Sequence, residues 1–431
     1  MYYFISKEYS HRKMVRRKGH RMLDEFQREL MKRALTHSSS AEEALRDIYQ
    51  EPRLLGLLHN TPGSPITRFN DVTVLINAKN AYDSMLEAIE RARHHIHFEF
   101  YTIRDDRVGR MFLEALVRKA HEGVRVRVIY DGIGSYKLTQ VYLQRLQEAG
   151  IEAYAFLPPL IAFFDKRMNY RNHRKIVVVD GKTGFLGGIN IGDEYLGRNP
   201  RLGFWRDTHL RLEGDSVYYL QHTFLTDWSF VCGQKLTDSE LFPEHEWRES
   251  SFVQLIASGP DAHWDSILEM YFGGIIAAKK RIYITTPYFI PDMSIIMGLK
   301  TAAISGVDVR IIIPNKADSR IVQYASRSYI KELLQAGVRF YLYRKGFIHA
   351  KIMLVDQLLA TVGTANLDMR SFFSNFELNA VLFDRKPIAQ LESDFMNDLK
   401  ESEEIMLEEF EKRSRLQKAK EVLARLLSPL F

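Results

Sequence analysis

The chain has 431 residues, of which 46% are hydrophobic and 26% charged, the proportions of a globular protein with room for two domains of roughly 150 to 200 residues. Its formal charge of +6 favours anionic partners, and charge alone does not choose between nucleic acid and an acidic membrane surface. The single cysteine, Cys232, excludes an intramolecular disulfide framework and a cysteine-based zinc site, and is read as packing; no apolar run long enough to span a bilayer and no cleavable leader is present, so the chain as given is expected neither to cross a membrane nor to be exported.

The first stretch, Met1-Tyr2-Tyr3-Phe4-Ile5 followed by the basic cluster His11 to Lys18, suits a segment lying on an anionic lipid surface, with a solvated basic tail as the plainer alternative. Short helical pieces and turn signals at Pro62-Gly63 and Pro65 lead into the first domain. From Val72 the pattern is α/β: strands at 72–76, 95–101 and 124–131 alternate with helices at 78–93, 109–122 and 138–149. The run Phe156 to Phe164, with Pro158 and Pro159, fits neither period; it either dips into lipid, lines an acyl channel or packs in the core. A polar junction at 237–249 precedes a second α/β series with helices at 267–279, 293–305 and 321–336 and strands at 281–288 and 307–313. At the C-terminus, Leu416, Leu423, Leu427 and Leu430 form a helical stripe opposite Lys and Arg, suited to an interface helix or one docked on the body. The expected organisation is a basic N-terminal segment (1–68), two similar domains (69–240 and 250–405) and an amphipathic C-terminal helix (406–431).

Two stretches carry the chemistry. Asn172-His173-Arg174-Lys175 runs on to Asp180, Gly187 and Asn190; His349-Ala350-Lys351 runs on to Asp356, Gly363 and Asn366. Each member of the second set follows its counterpart by the same interval, 349 − 173 = 176 for the histidines, so the chain contains an internal duplication. At strand period His349, Lys351, Met353 and Val355 share one face, and Ile348, Ala350, Ile352 and Leu354 the other. A lone His is most often a satisfied core residue and a lone Lys a snorkelling one. A buried ammonium beside a buried imidazole, present twice, makes sense around a shared negative ligand.

Two His, two Lys and two Asn on one site supply a nucleophile, a proton carrier and donors for phosphate oxygens. One histidine can attack phosphorus while the other protonates the leaving oxygen and later deprotonates the acceptor, which splits a phosphodiester exchange into two displacements. Lys175, Lys351, Asn190 and Asn366 would stabilise the equatorial oxygens, so the scheme needs no metal or other cofactor. Each imidazole also needs an acceptor to fix its tautomer. Glu377, shortly after Asn366, fits the second copy, and Asp207 in Phe204-Trp-Arg-Asp207-Thr-His fits the first. Asp180 and Asp356 have the opposite strand parity from their histidines and are read as structural.

These residues resemble the phospholipase D superfamily with its duplicated H-x-K-x4-D pattern, and in detail its bacterial cardiolipin synthase branch. The resemblance rests on Gly187-Gly-Ile-Asn-Ile-Gly-Asp-Glu-Tyr, Phe204-Trp-Arg-Asp-Thr-His, Ser258-Gly-Pro-Asp, Thr286-Pro-Tyr-Phe-Ile-Pro-Asp, Gly363-Thr-Ala-Asn-Leu-Asp-Met-Arg-Ser-Phe, Asn375-Phe-Glu-Leu-Asn and Leu426-Leu-Ser-Pro-Leu, and runs from about Phe69 to the end. It implies two phospholipase D-like α/β domains, each a mainly β-sheet layer flanked by helices, related by a pseudo-twofold axis and sharing one active site. It further implies transfer of a phosphatidyl group from one phosphatidylglycerol to another, releasing glycerol, through a phosphatidyl-histidine. His173 and His349 would be nucleophile and acid/base, with the resemblance leaning to His173 as nucleophile. Lys175, Lys351, Asn190 and Asn366 would bind the phosphate, and Asp207 and Glu377 would orient the imidazoles. The partners implied are anionic phospholipid and the cytoplasmic face of a bacterial membrane, held peripherally, with no nucleic acid. Many family members begin with two membrane-spanning helices, and the chain starts at what resembles the basic segment after them. The alternatives are another phosphatidyltransferase or hydrolase of this type, and a nuclease, against which the two long halves and the apolar Pro158 loop speak; an inactive lipid-binding scaffold is disfavoured because neither copy has lost a motif residue.

Overall fold

Alternating β-branched and aromatic residues of the first half form a seven-stranded sheet, ordered Asn70–Ile76, Thr208–Gly214, Thr183–Gly187, Lys175–Val179, His95–Phe100, Arg125–Asp131, Glu152–Phe156. The first five pair antiparallel and the last three parallel, the parallel steps made through the helices Arg107–His121 and Gln140–Glu148. This computed structural model describes residues 46–158, 170–245 and 251–430.

The second half repeats the plan strand for strand: Val253–Ser258, Asn375–Leu382, Leu359–Gly363, Ile352–Val355, Arg281–Thr285, Asp308–Pro314, Arg339–Tyr343. Its pairings have the same directions, and short edge strands, Ile66–Thr67 and Ser402–Glu404, extend it at either side. The residues of the first half that precede its own sheet thus belong to the second domain. Leu54 and Leu58 on the helix Pro52–His59 are buried in that domain's outer core, and Gln254 Nε2 donates to the carbonyl of Leu58 at 2.7 Å. The expected separate N-terminal segment is corrected to that extent; its basic cluster, Met1 to Lys18, lies outside the described residues.

Strand period decides the layers. Val177 and Val179 face the outer helices of the first domain, as Met353 and Val355 do in the second, while Ile176, Val178, Ile352 and Leu354 face the other sheet. The inward faces share one apolar layer with the helices Asp215–Cys232 and Arg385–Lys400, and each helix also touches the opposite domain's outermost long strand. Fully buried aliphatic side chains in such a layer contribute about 1.5 to 3 kcal/mol each, which holds the two halves in one fixed relation.

Two short strands cross between domains. Arg171–Asn172 runs parallel to Asn375–Phe376, and Gly346–Ile348 runs parallel to Phe204–Arg206. The chain leaves each cross-domain pairing just before it joins its own sheet, so His349, Ala350 and Lys351 fall between strands where sequence period predicts one continuous strand. A change of hydrogen-bonding partner, invisible to side-chain alternation, is the reason.

The C-terminal helix expected over 406–431 is two helices, Leu407–Glu411 and Arg415–Arg425, with a turn at Ser428–Leu430. It docks on Arg320–Gln335, with Arg425 over the Tyr329 ring at 4.3 Å and Ala424 buried, leaving Leu416, Leu423, Leu426 and Leu430 exposed. Phe156 is buried against Phe230 and Phe376, at ring separations of 4.8 and 5.1 Å; residues 159–164 of that aromatic run lie outside the described residues. Among the described residues no helix is long and apolar enough to cross a membrane.

Candidate active site

The paired motifs are anchored at their far ends by their aspartates. Asp180 and Asp356 sit at φ 53° and 52°, a left-handed turn that Asp tolerates better than most residues. The Asp180 carboxylate accepts the backbone N–H groups of Arg93, His94 and His95 at 2.9, 2.8 and 3.0 Å. Asp356 accepts those of Lys279, Lys280 and Arg281 at 2.8, 2.9 and 2.8 Å. Each carboxylate ties the turn after its motif strand to the start of the neighbouring central strand, well along the strand from the histidine.

At the near end the crossing strands take over. The N–H of His173 donates to the carbonyl of Phe376 at 2.9 Å, and the N–H of His349 donates to that of Arg206 at 2.7 Å. Each bond places an imidazole beside the next residue of the other copy. His173 Nδ1 lies 3.0 Å from both carboxylate oxygens of Glu377, and His349 Nδ1 lies 2.7 Å from Asp207 Oδ2. The own-copy pairing expected from the sequence is therefore corrected: the acids are exchanged between domains. With Nδ1 of each ring facing a carboxylate, Nε2 is the nitrogen left for phosphorus.

Lys175 Nζ donates to the carbonyl of His173 at 2.5 Å and Lys351 Nζ to that of His349 at 2.6 Å; the second ammonium also stands 2.9 Å from both ring nitrogens of His349. Burial lowers Lys175 to about 7 and Lys351 to about 8, and lowers both His173 and His349 to about 4. Burial pushes Glu377 up, but His173, Lys175 and the Thr364 hydroxyl outweigh it and hold the carboxyl at about 2. Asp207 is likewise held below its ordinary value, burial being overcome by His349 and Lys351. Imidazoles and ammoniums buried in this way give up protons readily, and a bound phosphodiester anion would favour their charged forms.

The histidines line a cavity of about 360 Å³ together with Asn190, Asn366, Tyr101 and Trp205. Asn190 Oδ1 accepts the N–H of Thr102 at 3.1 Å, whereas Asn366 Oδ1 is buried without a partner among the described residues. The structure thus brings all eight predicted site residues to one place, the two aspartates of the duplicated motif excepted.

Several supporting residues escaped the sequence reading. Arg174 is ion-paired with Asp227 at 2.5 Å and donates to the carbonyls of Glu377 and Ser258 at 3.2 and 3.3 Å. Arg206 is paired with Asp398 at 2.9 Å and donates to the carbonyl of Asp207 at 2.6 Å. Each exchanged acid therefore has a buried Arg–Asp pair behind its backbone, assembled from different positions in the two copies. The arginines are motif neighbours and could have been singled out; Asp227 and Asp398 lie on helices with no local signal. Asn77, at φ 64°, accepts the N–H of Asp207 and donates its own to the Asp207 carbonyl, at 3.2 and 2.9 Å.

A duplicated sheet that brings two histidines and two asparagines to one cavity, with a buried lysine bonded to the carbonyl of each histidine, defines a phospholipase D-like phosphotransfer enzyme. In fold the chain resembles the phosphatidylserine synthase of Haemophilus influenzae, with a TM-score of 0.70 at 16% identity over 89% of this chain and 100% of that one. The family model described as "Cardiolipin synthase, PLD-like domain" matches residues 85–228 and 273–399. The "Cardiolipin synthase" of Halalkalibacterium halodurans is 47% identical over 393 residues, 90% of this chain and 78% of that protein, and the "Cardiolipin synthase 2" of Bacillus anthracis is 46% identical over 397 residues, 92% and 77%. The chain belongs to the cardiolipin synthase family, whose members are phosphatidyltransferases.

Proposed function

We propose that the protein makes cardiolipin from two molecules of phosphatidylglycerol, releasing glycerol, through a phosphatidyl-histidine. The observation that carries this reading is the pair of imidazoles on one cavity, each held at Nδ1 by the other copy's carboxylate. In the first displacement Nε2 of the nucleophile, assigned to His173, bonds to phosphorus, and the bond from phosphorus to the glycerol oxygen breaks while His349 gives that oxygen its proton. In the second, His349 takes the proton of an incoming phosphatidylglycerol hydroxyl, whose oxygen bonds to phosphorus as the P–N bond breaks. Lys175, Lys351, Asn190 and Asn366 face the oxygens whose charge grows between these states. The low proton affinity of the unliganded histidines suits a neutral nucleophile, and the bound phosphodiester anion raises the partner so that it can act as acid.

On this reading the protein works at the cytoplasmic face of a bacterial membrane, peripherally bound. Exposed Leu416, Leu423, Leu426 and Leu430 beside Lys418 and Lys420 support a lipid surface as the partner. The decisive experiment incubates His173→Ala and His349→Ala with a phosphatidyl donor bearing a good leaving group, quenches in alkali and locates label by mass spectrometry. Label on His173 in His349→Ala, and none in His173→Ala, is expected. Label on His349 in His173→Ala would reverse the two roles, and label in neither variant nor the wild type would remove the covalent intermediate.

A further inference from the structure

The twofold plan of the cavity is broken by charge. Counting on the interval of 176, the counterpart of Arg370 is Glu194, and the two occupy matching short helices, Met369–Phe373 and Asp193–Leu196. Both line the cavity that holds His173 and His349. Glu194 is neutralised by Arg104, with Oε1 3.3 Å from Nη2. The matching bridges, Ile103 to Ile191 in one copy and Phe289 to Leu367 in the other, make Ile290 the counterpart of Arg104. The second copy thus has a cation where the first has an anion, and an apolar residue where the first has the balancing cation.

Among the described residues Arg370 has no ion-pair partner, and its Nε is buried without a hydrogen bond. Besides Glu194, two carboxylates share the cavity wall, and both are engaged: Asp318 accepts from the Tyr288 hydroxyl and Asp368 from the N–H of Ser371 at 2.7 Å. Arg171 lines the same cavity, and the charges of Arg370, Arg171 and Arg104 all bear on the hydroxyl of half-buried Tyr101. Asp131 offsets part of the Arg171 charge, but Arg370 and Arg171 still repel each other, which an interposed anion would relieve.

The lysines and asparagines already account for the phosphate that reacts. The acceptor in the proposed reaction carries a phosphodiester of its own, separated from the attacking hydroxyl only by the glycerol backbone. We infer that Arg370, with Arg171 beside it, binds this second phosphodiester, so that the cavity selects an acceptor alcohol that already bears a phosphate. The inference rests on the reading of the protein as a phosphatidyltransferase acting on phosphatidylglycerol. A planar guanidinium suits two phosphate oxygens at once, and an unpaired one at a cavity wall is ready to receive them.

The test offers one labelled phosphatidyl donor two acceptors in the same mixed micelle: phosphatidylglycerol, and monoacylglycerol, which has the glycerol hydroxyls and no phosphate. The product ratio is read for wild type, Arg370→Gln and Arg370→Lys. Arg370→Gln is expected to lower the ratio of two-phosphate to one-phosphate product on the order of ten- to a hundredfold, the loss of a charge-assisted contact, and Arg370→Lys to restore part of it. Since both products come from one tube, the ratio does not depend on how much enzyme is folded. An unchanged ratio in Arg370→Gln, whatever the total rate, would overturn the inference. Added inorganic phosphate should lower the ratio in wild type but not in Arg370→Gln if the site takes free phosphate as well; equal inhibition of both would overturn the assignment to Arg370. A wild type that transfers to neither alcohol would remove the underlying reading instead, and the inference with it.

Discussion

Around Glu377 and around Asp207 the molecule solves one problem twice with different parts. Glu377 is clamped by the Thr364 hydroxyl and by Asn375 Nδ2 at 3.0 Å. Asp207, one methylene shorter, is held by the N–H of Thr208 at 2.8 Å and the Trp205 indole at 3.5 Å, and lies where Thr364 has its counterpart, Gly188. A Cβ on Gly188 would stand 2.1 Å from the Asp207 carboxylate. The copies have kept the groups that face phosphate and changed those that aim the acids, because aiming depends on the length of the acid while the chemistry does not.

That contrast can be broken from either side. Glu377→Gln and Asp207→Asn should each lower kcat about 10³-fold, within the usual range for a lost acid/base orientation, with little change in KM; a loss below tenfold for either would make that carboxylate ornamental. Transplanting the supports is the sharper comparison. Gly188→Ala should cost roughly 10²-fold because the new methyl displaces Asp207, whereas Thr364→Gly removes one hydrogen bond and should cost on the order of tenfold. Equal losses in steady-state assays would contradict the difference drawn between the clamps.

The Arg–Asp pairs should behave alike despite their different origins. Arg174→Met and Arg206→Met each strand a buried carboxylate and should lower stability by about 3 kcal/mol or more in urea unfolding, with Arg174→Met recovering when Asp227→Asn is added. The lysines give a smaller, pH-dependent signal. An unfolded lysine keeps its proton to about 10.4, while burial lowers Lys175 to about 7 and Lys351 to about 8 in the fold. Below pH 7 both states are charged and the fold carries the full penalty; above pH 8 the unfolded state binds more protons, so stability should rise with pH. Affinity for inorganic phosphate should run the opposite way, falling as pH passes 7 to 8, and calorimetry that finds it flat would exclude the lysines as phosphate ligands. Smallest of all, Leu423→Ser with Leu426→Ser should weaken binding to anionic vesicles a few-fold, more at high salt where surface charge is screened.

The interval of 176 made the duplication, the shared site and the α/β series legible, since glycine, histidine and lysine positions are locally specified. The exchange of acids was not, because strand parity gives the face a side chain occupies and not the strand lying next to it. Nor was the docking of Leu54 and Leu58 on the second domain, where a short apolar helix fits any apolar layer. Arg206 and Asp398 meet only after the inter-sheet layer forms, and nothing in either local sequence announces the other.

The exchanged acids are the central claim, and the histidine side chains report on them directly. In protein selectively labelled at histidine, NMR can follow the ring resonances of His173 and His349, assigned by substitution. Glu377→Gln should move the His173 resonances and their pH response and leave His349 in place, while Asp207→Asn should do the reverse. If Glu377→Gln moves His349 and leaves His173 untouched, each acid serves its own copy and the crossed arrangement is wrong.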